Sequence, residues 1–340
     1  MSSRVEDPVQ YTQFSGLRNT VSEERLGPSD LAVAKNVDID DVGQLRRRRG
    51  RVLVAAGDFH SLHEATNACF VVKDGDLCQV RDDHNTSVIH AGVGPHPLCY
   101  VSVGDDTYFS SLGYSGVVSA GVVSPWGADV SPTNWESPVV NPTQNLPEVA
   151  GKVTSAPPTA TSLAYLNGRI YLAEDKVLWA TELYRYAYVD RTKNYMQFES
   201  PIRGVLSVRD GLYVGTDEEV FFLAGTFGDM ARRRVVPSGY VPGSGVSVPP
   251  AQLGERAGDS KASVFFLTHL GVYAGLDSGV CYPITQEAFL FPSSQTSAAM
   301  YRQQDGVGQY VGVMGSSGGP VNNARFGDYV DAEIRRFTGN

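Results

Sequence analysis

A chain of 340 residues with 42% hydrophobic and 19% charged residues has enough apolar material for a large core, which excludes global disorder. Its 28 basic and 37 acidic side chains leave a formal net charge of −9, which excludes a free-standing nucleic-acid binder and leaves only a local basic patch for phosphate. The 36 glycines and 19 prolines arrive mostly as turn punctuation, favouring many short strands over long helices.

The opening residues, MSSRVEDPVQYTQFSG, hold no apolar run of the kind a secretory signal needs. No stretch approaches the roughly eighteen uninterrupted apolar residues of a membrane span. The expectation is a chain made in the cytosol without a membrane-spanning segment. Residues 1–35 read as an N-terminal arm. Within it PSDLAVAKNV (Pro28–Val37) is a candidate for one or two helical turns capped by Ser29 or Asp30. Next comes NVDIDDVGQLRRRRGRVLV, which sets Asp38, Asp40 and Asp41 against Arg46, Arg47, Arg48, Arg49 and Arg51. A turn at Asp41-Val42-Gly43 joining two strands accounts for these residues as a hairpin.

From residue 36 onward the recurring unit is a short apolar, aromatic and β-branched strand broken by a glycine turn. Such turns fall at Gly75, at Gly104–Asp106, and at Gly168, Gly211 and Gly271. The last three open copies in which an apolar strand, a glycine turn, a Leu/Ile/Val-Tyr strand, an acidic turn and a third apolar strand follow in order. Ile170–Tyr171, Leu212–Tyr213 and Val272–Tyr273 stand in matching places, and the three glycines recur at intervals of 43 and 60 residues. A degenerate repeat near about 40 residues, built of three or four antiparallel strands, is the signature of a propeller blade. The fold class is therefore all-β: an irregular β-propeller of degenerate three- to four-stranded blades over 36–340. Long inserted loops are expected at 115–160 and 230–260, and a helical turn at Phe326–Phe337. A β-sandwich is the competing architecture, because its hairpins mimic the same pattern.

Motifs for chemistry are weak. Asp38-x-Asp40 has the spacing of a calcium loop, but the twelfth position, where such a loop needs glutamate, is Arg49. Gly315–Gly319 matches the G-x-S-x-G elbow around Ser317, yet no histidine follows and PVNNARF is no helix. His60-x-x-His63 lacks further zinc ligands at any telling spacing. Cys69, Cys78, Cys99 and Cys281 form no C-x-x-C pair and read as reduced, mostly buried thiols. The reading assigns no catalytic residue, metal or cofactor. The arginine rows Arg46–Arg49 with Arg51, and Arg232, Arg233 and Arg234, are the candidate interface residues, expected to pair with carboxylates across an interface or within the molecule rather than with phosphate, because guanidinium forks pair well with carboxylates.

The N-terminal segment also carries a resemblance. Gly16–Leu17–Arg18, Leu31, Ala34, Asn36–Val37, Gly43, Leu45, Arg47–Arg48 and Gly50 follow the opening pattern of phage tail-nozzle proteins. The segment is similar to tail tubular protein B and related propeller-shaped stabilisation proteins of short-tailed bacteriophages. The resemblance implies a virion protein of the tail, made in the host cytoplasm, forming a homohexameric ring below the portal–adaptor connector. Tail fibre or spike proteins would be further partners. Genomic DNA would pass without specific binding through a channel that this ring extends and gates, and six acidic copies suit such a passage. Two other functions compete: a tail-tip receptor- or glycan-binding propeller using Trp126, Trp135, Trp179 and tyrosines, and a propeller hydrolase using Asp105, Asp106, Asp217 and Glu218.

Overall fold

A computed structural model describes residues 11–35, 37–39, 42–48, 52–127, 154–285, 288, 296–304, 307–315 and 330–335. Six antiparallel sheets follow one another along the chain, and we number them as blades one to six. Blade one is Phe59–Glu64, Cys69–Lys73, Asp76–Val80 and Thr86–His90; blade two is Cys99–Val103, Asp106–Ser110, Ser115–Ser119 and Val122–Pro125. Blade three is Ser162–Leu166, Arg169–Glu174, Val177–Ala180 and Tyr195–Gln197; blade four is Ile202–Val208, Gly211–Thr216, Val220–Ala224 and Ala231–Val236. Blade five is Val246–Val248, Ser263–Thr268, Gly271–Leu276 and Cys281–Pro283. Blade six is Thr296–Gln304, Val307–Gly315 and Val330–Arg335. This is the irregular β-propeller architecture expected from the repeat.

Period-two alternation sends successive side chains to opposite faces of each blade, and both faces are apolar. In the second strand of blade three, Ile170 and Leu172 join the core shared with blade two, while Tyr171 and Ala173 join the core shared with blade four. Five core clusters result, one for each consecutive pair of blades from one–two to five–six. Aromatic donors stitch several of these contacts. Trp126 Nε1 donates to the Tyr186 carbonyl at 2.8 Å, Tyr213 Oη to the Leu276 carbonyl at 2.5 Å, and Tyr310 Oη to the Ser244 carbonyl at 2.7 Å.

The antiparallel meander gives the molecule two distinct ends. Turns joining first to second and third to fourth strands gather at one, the hairpin end. Turns joining second to third strands share the other with the crossovers between blades. Asp217, in such a turn of blade four, donates its backbone N–H to the carbonyl of crossover residue Pro201 at 3.1 Å, which ties the two at the crossover end.

Blade five departs from the sequence repeat. Gly271 joins its second and third strands, whereas Gly168 and Gly211 stand between first and second strands. A hairpin displaced by one strand position is turned end over end about the blade's radial axis, which exchanges its faces. Tyr273 therefore points back to meet Tyr213 in the core between blades four and five, although the two stand in matching places in sequence.

Both segments predicted to hold helical turns contain a strand and, among the described residues, no helix. Asp30–Leu31 pairs with Gly16–Leu17 in parallel. The Asp30 carboxylate is turned back rather than forward, accepting from Ser15 Oγ at 2.9 Å and the Gly27 N–H at 3.1 Å, so it does not cap a helix. Val330–Arg335 pairs antiparallel with Val307–Gly315. Its sequence, VDAEIR, alternates apolar and charged residues, and that period of two prevails over the helical reading. The inserted loops at 115–160 and 230–260 are also partly sheet. Ser115–Ser119 with Val122–Pro125 is the outer hairpin of blade two, and Ala231–Val236 is the outer strand of blade four. Residues 128–153 lie outside the described residues.

A close approach in blade four is open to test. Tyr240 lies against Gly204 and Gly215, where an added Cβ would come within 2.3 Å of its ring. Gly215→Ala should destabilise the fold by about 1–3 kcal/mol through overpacking, read as a lower urea midpoint with an unchanged slope.

Candidate interaction surface

The acid–arginine stretch forms a two-stranded antiparallel hairpin, Val37–Ile39 with Leu45–Arg47. Arg46 stands opposite Asp38 and Arg47 opposite Val37. Arg48 Nε donates to Asp38 Oδ1 at 3.0 Å with both side chains largely covered, so this carboxylate serves the hairpin's own arginine. Arg46 and Arg47 are exposed. Arg49, Arg51, Asp40 and Asp41 lie outside the described residues. Gly43 closes the turn with φ 84°, a left-handed conformation that favours glycine, and its carbonyl accepts from the Phe14 N–H at 2.8 Å. The arm is thus folded back on the hairpin. Asn19 extends it further, donating its N–H to the Ala288 carbonyl at 3.0 Å, in the crossover from blade five to blade six.

The second arginine row makes contacts within the propeller, the intramolecular side of its expected pairing. Arg232, Arg233 and Arg234 lie in the outer strand of blade four and alternate faces as a strand requires. Arg232 covers the rings of Phe198 and Phe221, with Cζ 5.3 and 4.9 Å from their centroids, and donates to the Gln197 carbonyl of blade three. Arg233 points the other way, donating to the Ser278 and Gly279 carbonyls of blade five at 3.2 and 3.0 Å. Arg234 meets Glu219 at 3.6 Å. Outer-strand guanidiniums therefore clamp blade four to both neighbours.

The carboxylates considered for hydrolysis do not converge. Asp105 and Asp106 sit at the hairpin end of blade two, Asp217 and Glu218 at the crossover end of blade four. Asp217 is held by Arg203 through both oxygens, at 2.5 and 2.8 Å, and that bond holds Arg203 above its ordinary range. His60 and His63 separate at a β-bulge: His60 bonds Ser61, while His63 reaches across to Ser102 of blade two. Among the described residues no group of three His, Cys, Asp or Glu side chains is placed to hold a metal ion. The four cysteines are free, and burial pushes the Cys99 and Cys281 thiols up to about 12, far from a reactive thiolate. Ser317 lies outside the described residues.

Tryptophans do not supply open stacking platforms. Trp126 is buried, and Trp179 donates to Glu174 while the Arg191 guanidinium covers its ring at 5.1 Å. Trp135 lies outside the described residues. Tyr11, Phe59 and Tyr195 are exposed in part, and among the described residues the most exposed aromatic is Tyr184, at 70% beside half-exposed Leu183. It holds φ 55° on a loop pinned by its N–H to the Gly168 carbonyl and by Glu182 N–H to the Tyr188 carbonyl, each 2.8 Å.

The larger apolar exposure lies just before blade one. Val52, Leu53 and Val54 are 85%, 83% and 64% exposed in succession, and Val33, Val42 and Leu45 of the arm and hairpin are exposed too. In sequence this RVLV run is overshadowed by the arginines beside it. The missed signal was three aliphatics without the glycine turn and partner strand that accompany the other apolar runs.

No protein-family model matches the chain, and no curated protein does. Solved structures are similar to it at low identity and low TM-score. The extracellular domain of the BT4673 two-component system from B. thetaiotaomicron is 12% identical with a TM-score of 0.45; the match covers 78% of this chain and 33% of that domain. This chain thus spans about a third of that structure. Apo AztD from Citrobacter koseri is 11% identical with a TM-score of 0.41, over 81% of this chain and 71% of AztD. Trypanosoma rangeli sialidase is 11% identical with a TM-score of 0.40, over 88% and 57%.

The clamp role of Arg232 is measurable. Arg232→Ala should cost about 1 kcal/mol through loss of its ring contacts, and Arg232→Lys less, read from chemical unfolding midpoints.

Proposed function

We propose that this chain is an assembly propeller: a structural subunit of a bacteriophage tail that forms a ring below the connector and lets DNA through. The observation that carries the reading is the exposed aliphatic run Val52–Leu53–Val54 beside the folded arm and hairpin. A lone globular subunit has no use for three consecutive aliphatics in water, and such a patch beside charged residues marks a surface that another subunit covers. The arm and hairpin that support it contain the motif residues on which the nozzle resemblance rests. Gly16–Leu17 forms the parallel pair, Arg18 bonds Asp30 at 3.3 Å, Gly43 makes the turn, and Leu45 and Arg47 lie in the hairpin. Arg47, in the hairpin that precedes the run, is also exposed.

A second reading, a receptor- or glycan-binding propeller, draws support from Tyr184 alone. A rigid loop presenting an open phenol ring at the hairpin end suits stacking against a sugar or a protein side chain.

The two readings separate in one experiment. The purified chain, with and without a connector complex, should give ring-shaped particles by light scattering and negative-stain averaging. Val52→Ser with Leu53→Ser and Val54→Ser should leave a folded monomer that no longer enters rings, while Tyr184→Ala should assemble normally. Rings that persist in the triple variant would refute the assembly surface. Glycan or receptor binding lost only in Tyr184→Ala would favour the second reading.

A further inference from the structure

The contact between blades one and two is built differently from the others. Three of the four later contacts carry a tyrosine or tryptophan donor onto a backbone carbonyl of the neighbouring blade or its loops. Here two histidines of blade one instead lie on two tyrosines of blade two. His63 stacks on Tyr100 with centroids 4.8 Å apart and planes 5° from parallel, and His90 stacks on Tyr114 at 4.9 Å. Phe109 lies beside both tyrosines, 6.3 and 5.9 Å from their centroids. The hydroxyls of Tyr100 and Tyr114 are buried without a hydrogen-bond partner, so neither stitches the blades as Tyr213 and Tyr310 do elsewhere. His63 supplies one polar link, its Nε2 lying 3.1 Å from Ser102 Oγ, which lies 3.0 Å from Thr107 Oγ1; the Leu98 N–H donates to Ser61 Oγ at 2.8 Å and Asn67 Nδ2 to Asp105 Oδ1 at 3.5 Å beside it.

We propose that His63 is a proton-sensitive latch that holds blade one on blade two while neutral and releases it when protonated. The neutral ring satisfies the site in either tautomer, because the Ser102 and Thr107 hydroxyls rotate to donate or accept. The imidazolium brings a charge and a second N–H into a stacked, half-buried position. The groups facing it supply no negative charge. Tyr100 and Phe70 are aromatic, and Ser102 and Thr107 are neutral hydroxyls. The Tyr100 phenol stays protonated, pushed up by burial with the Cys99 and Cys69 thiols beside it. Glu64, next along the strand, stands opposite Cys69 in the ladder, and Asp105 meets Asn67 at the exposed hairpin end. The nearby His60 bonds Ser61 and has Asp58 as its acidic neighbour.

Burial holds His63 below its ordinary 6.5. A group with a depressed folded value contributes its stabilisation above the unfolded value, and that contribution falls away as pH drops through the folded one. Blade one follows the arm, hairpin and aliphatic run in the chain, so the latch acts on one attachment of the proposed assembly surface, the Asn19–Ala288 bond being another. The latch itself does not depend on that surface's proposed role.

Hydrogen exchange of the full chain at about pH 7.5 and about pH 5.5, corrected for intrinsic exchange, tests this. Peptides spanning Cys69–Val80 should exchange up to about tenfold faster at the lower pH relative to peptides spanning Gly211–Ala224, the limit for one proton over the pH unit below 6.5. His63→Gln, which keeps a hydrogen-bonding group without the titration, and His63→Phe, which keeps the stack, should both abolish the difference. His90→Gln should retain it. An acid-induced difference that survives in His63→Gln, or its absence from the unsubstituted chain, would overturn the latch. If His63→Phe does not fold at the higher pH, His63→Gln decides alone.

Discussion

A four-stranded sheet with aliphatic residues on both faces has no stable arrangement in water by itself, and everything else here follows from that constraint. Each blade must be covered twice, and the chain achieves this by laying successive sheets side by side. Residues of odd and even position in one strand then belong to different cores, as Ile170 and Tyr171 do. The cost of a misplaced side chain is correspondingly high, since a one-residue slip in register would move an entire row to the wrong neighbour. Backbone room matters in the same way: Tyr240 fits only because two glycines leave the space for its ring.

The same constraint separates structural from unassigned surface. Side chains that looked available for partners in sequence, such as Arg232, Arg233 and the carboxylate of Asp217, are spent on contacts within the propeller. What is left over is concentrated elsewhere. The arm, its hairpin and the aliphatic run precede the first blade, and Leu183–Tyr184 projects at the hairpin end. Among the described residues no core cluster joins blade six to blade one, and the arm's bond to Ala288 lies across that part of the molecule.

Much of this architecture was legible in the amino-acid order, because a strand's alternation and a glycine turn are local signals. The hairpins at Gly75, Gly104, Gly168, Gly211 and Gly271 are all present. Their place within a blade was not legible. Whether Gly271 opens the second strand or the third depends on Val246–Val248 adding to the sheet, a pairing between residues separated by the Pro250–Ala257 turn. The apparent helix at Pro28 failed because Asp30 bonds backward to Ser15 and Gly27, a tertiary choice that capping rules do not encode. At the terminus the period of two in VDAEIR was readable and was passed over for a helical pattern. Charge rows were the least transparent feature. The sequence marks where guanidiniums are, whereas Phe198, Phe221 and the Gly279 carbonyl determine what they do. The histidine–tyrosine stacks join residues about 25 to 40 positions apart on different blades, beyond any motif.

The arm's hydrogen bond from Asn19 to Ala288 has a consequence for how the chain reaches its structure. Core contacts link each blade only to the next, so most of the propeller is of low sequence separation and suits growth blade by blade as the polypeptide emerges. The Asn19–Ala288 contact has the opposite character, since its acceptor is synthesised after five blades exist. The arm, which precedes every blade in the chain, is therefore among the last parts to settle. Until then the aliphatic run beside it is presented on a nascent chain, where it is open to premature pairing with another copy.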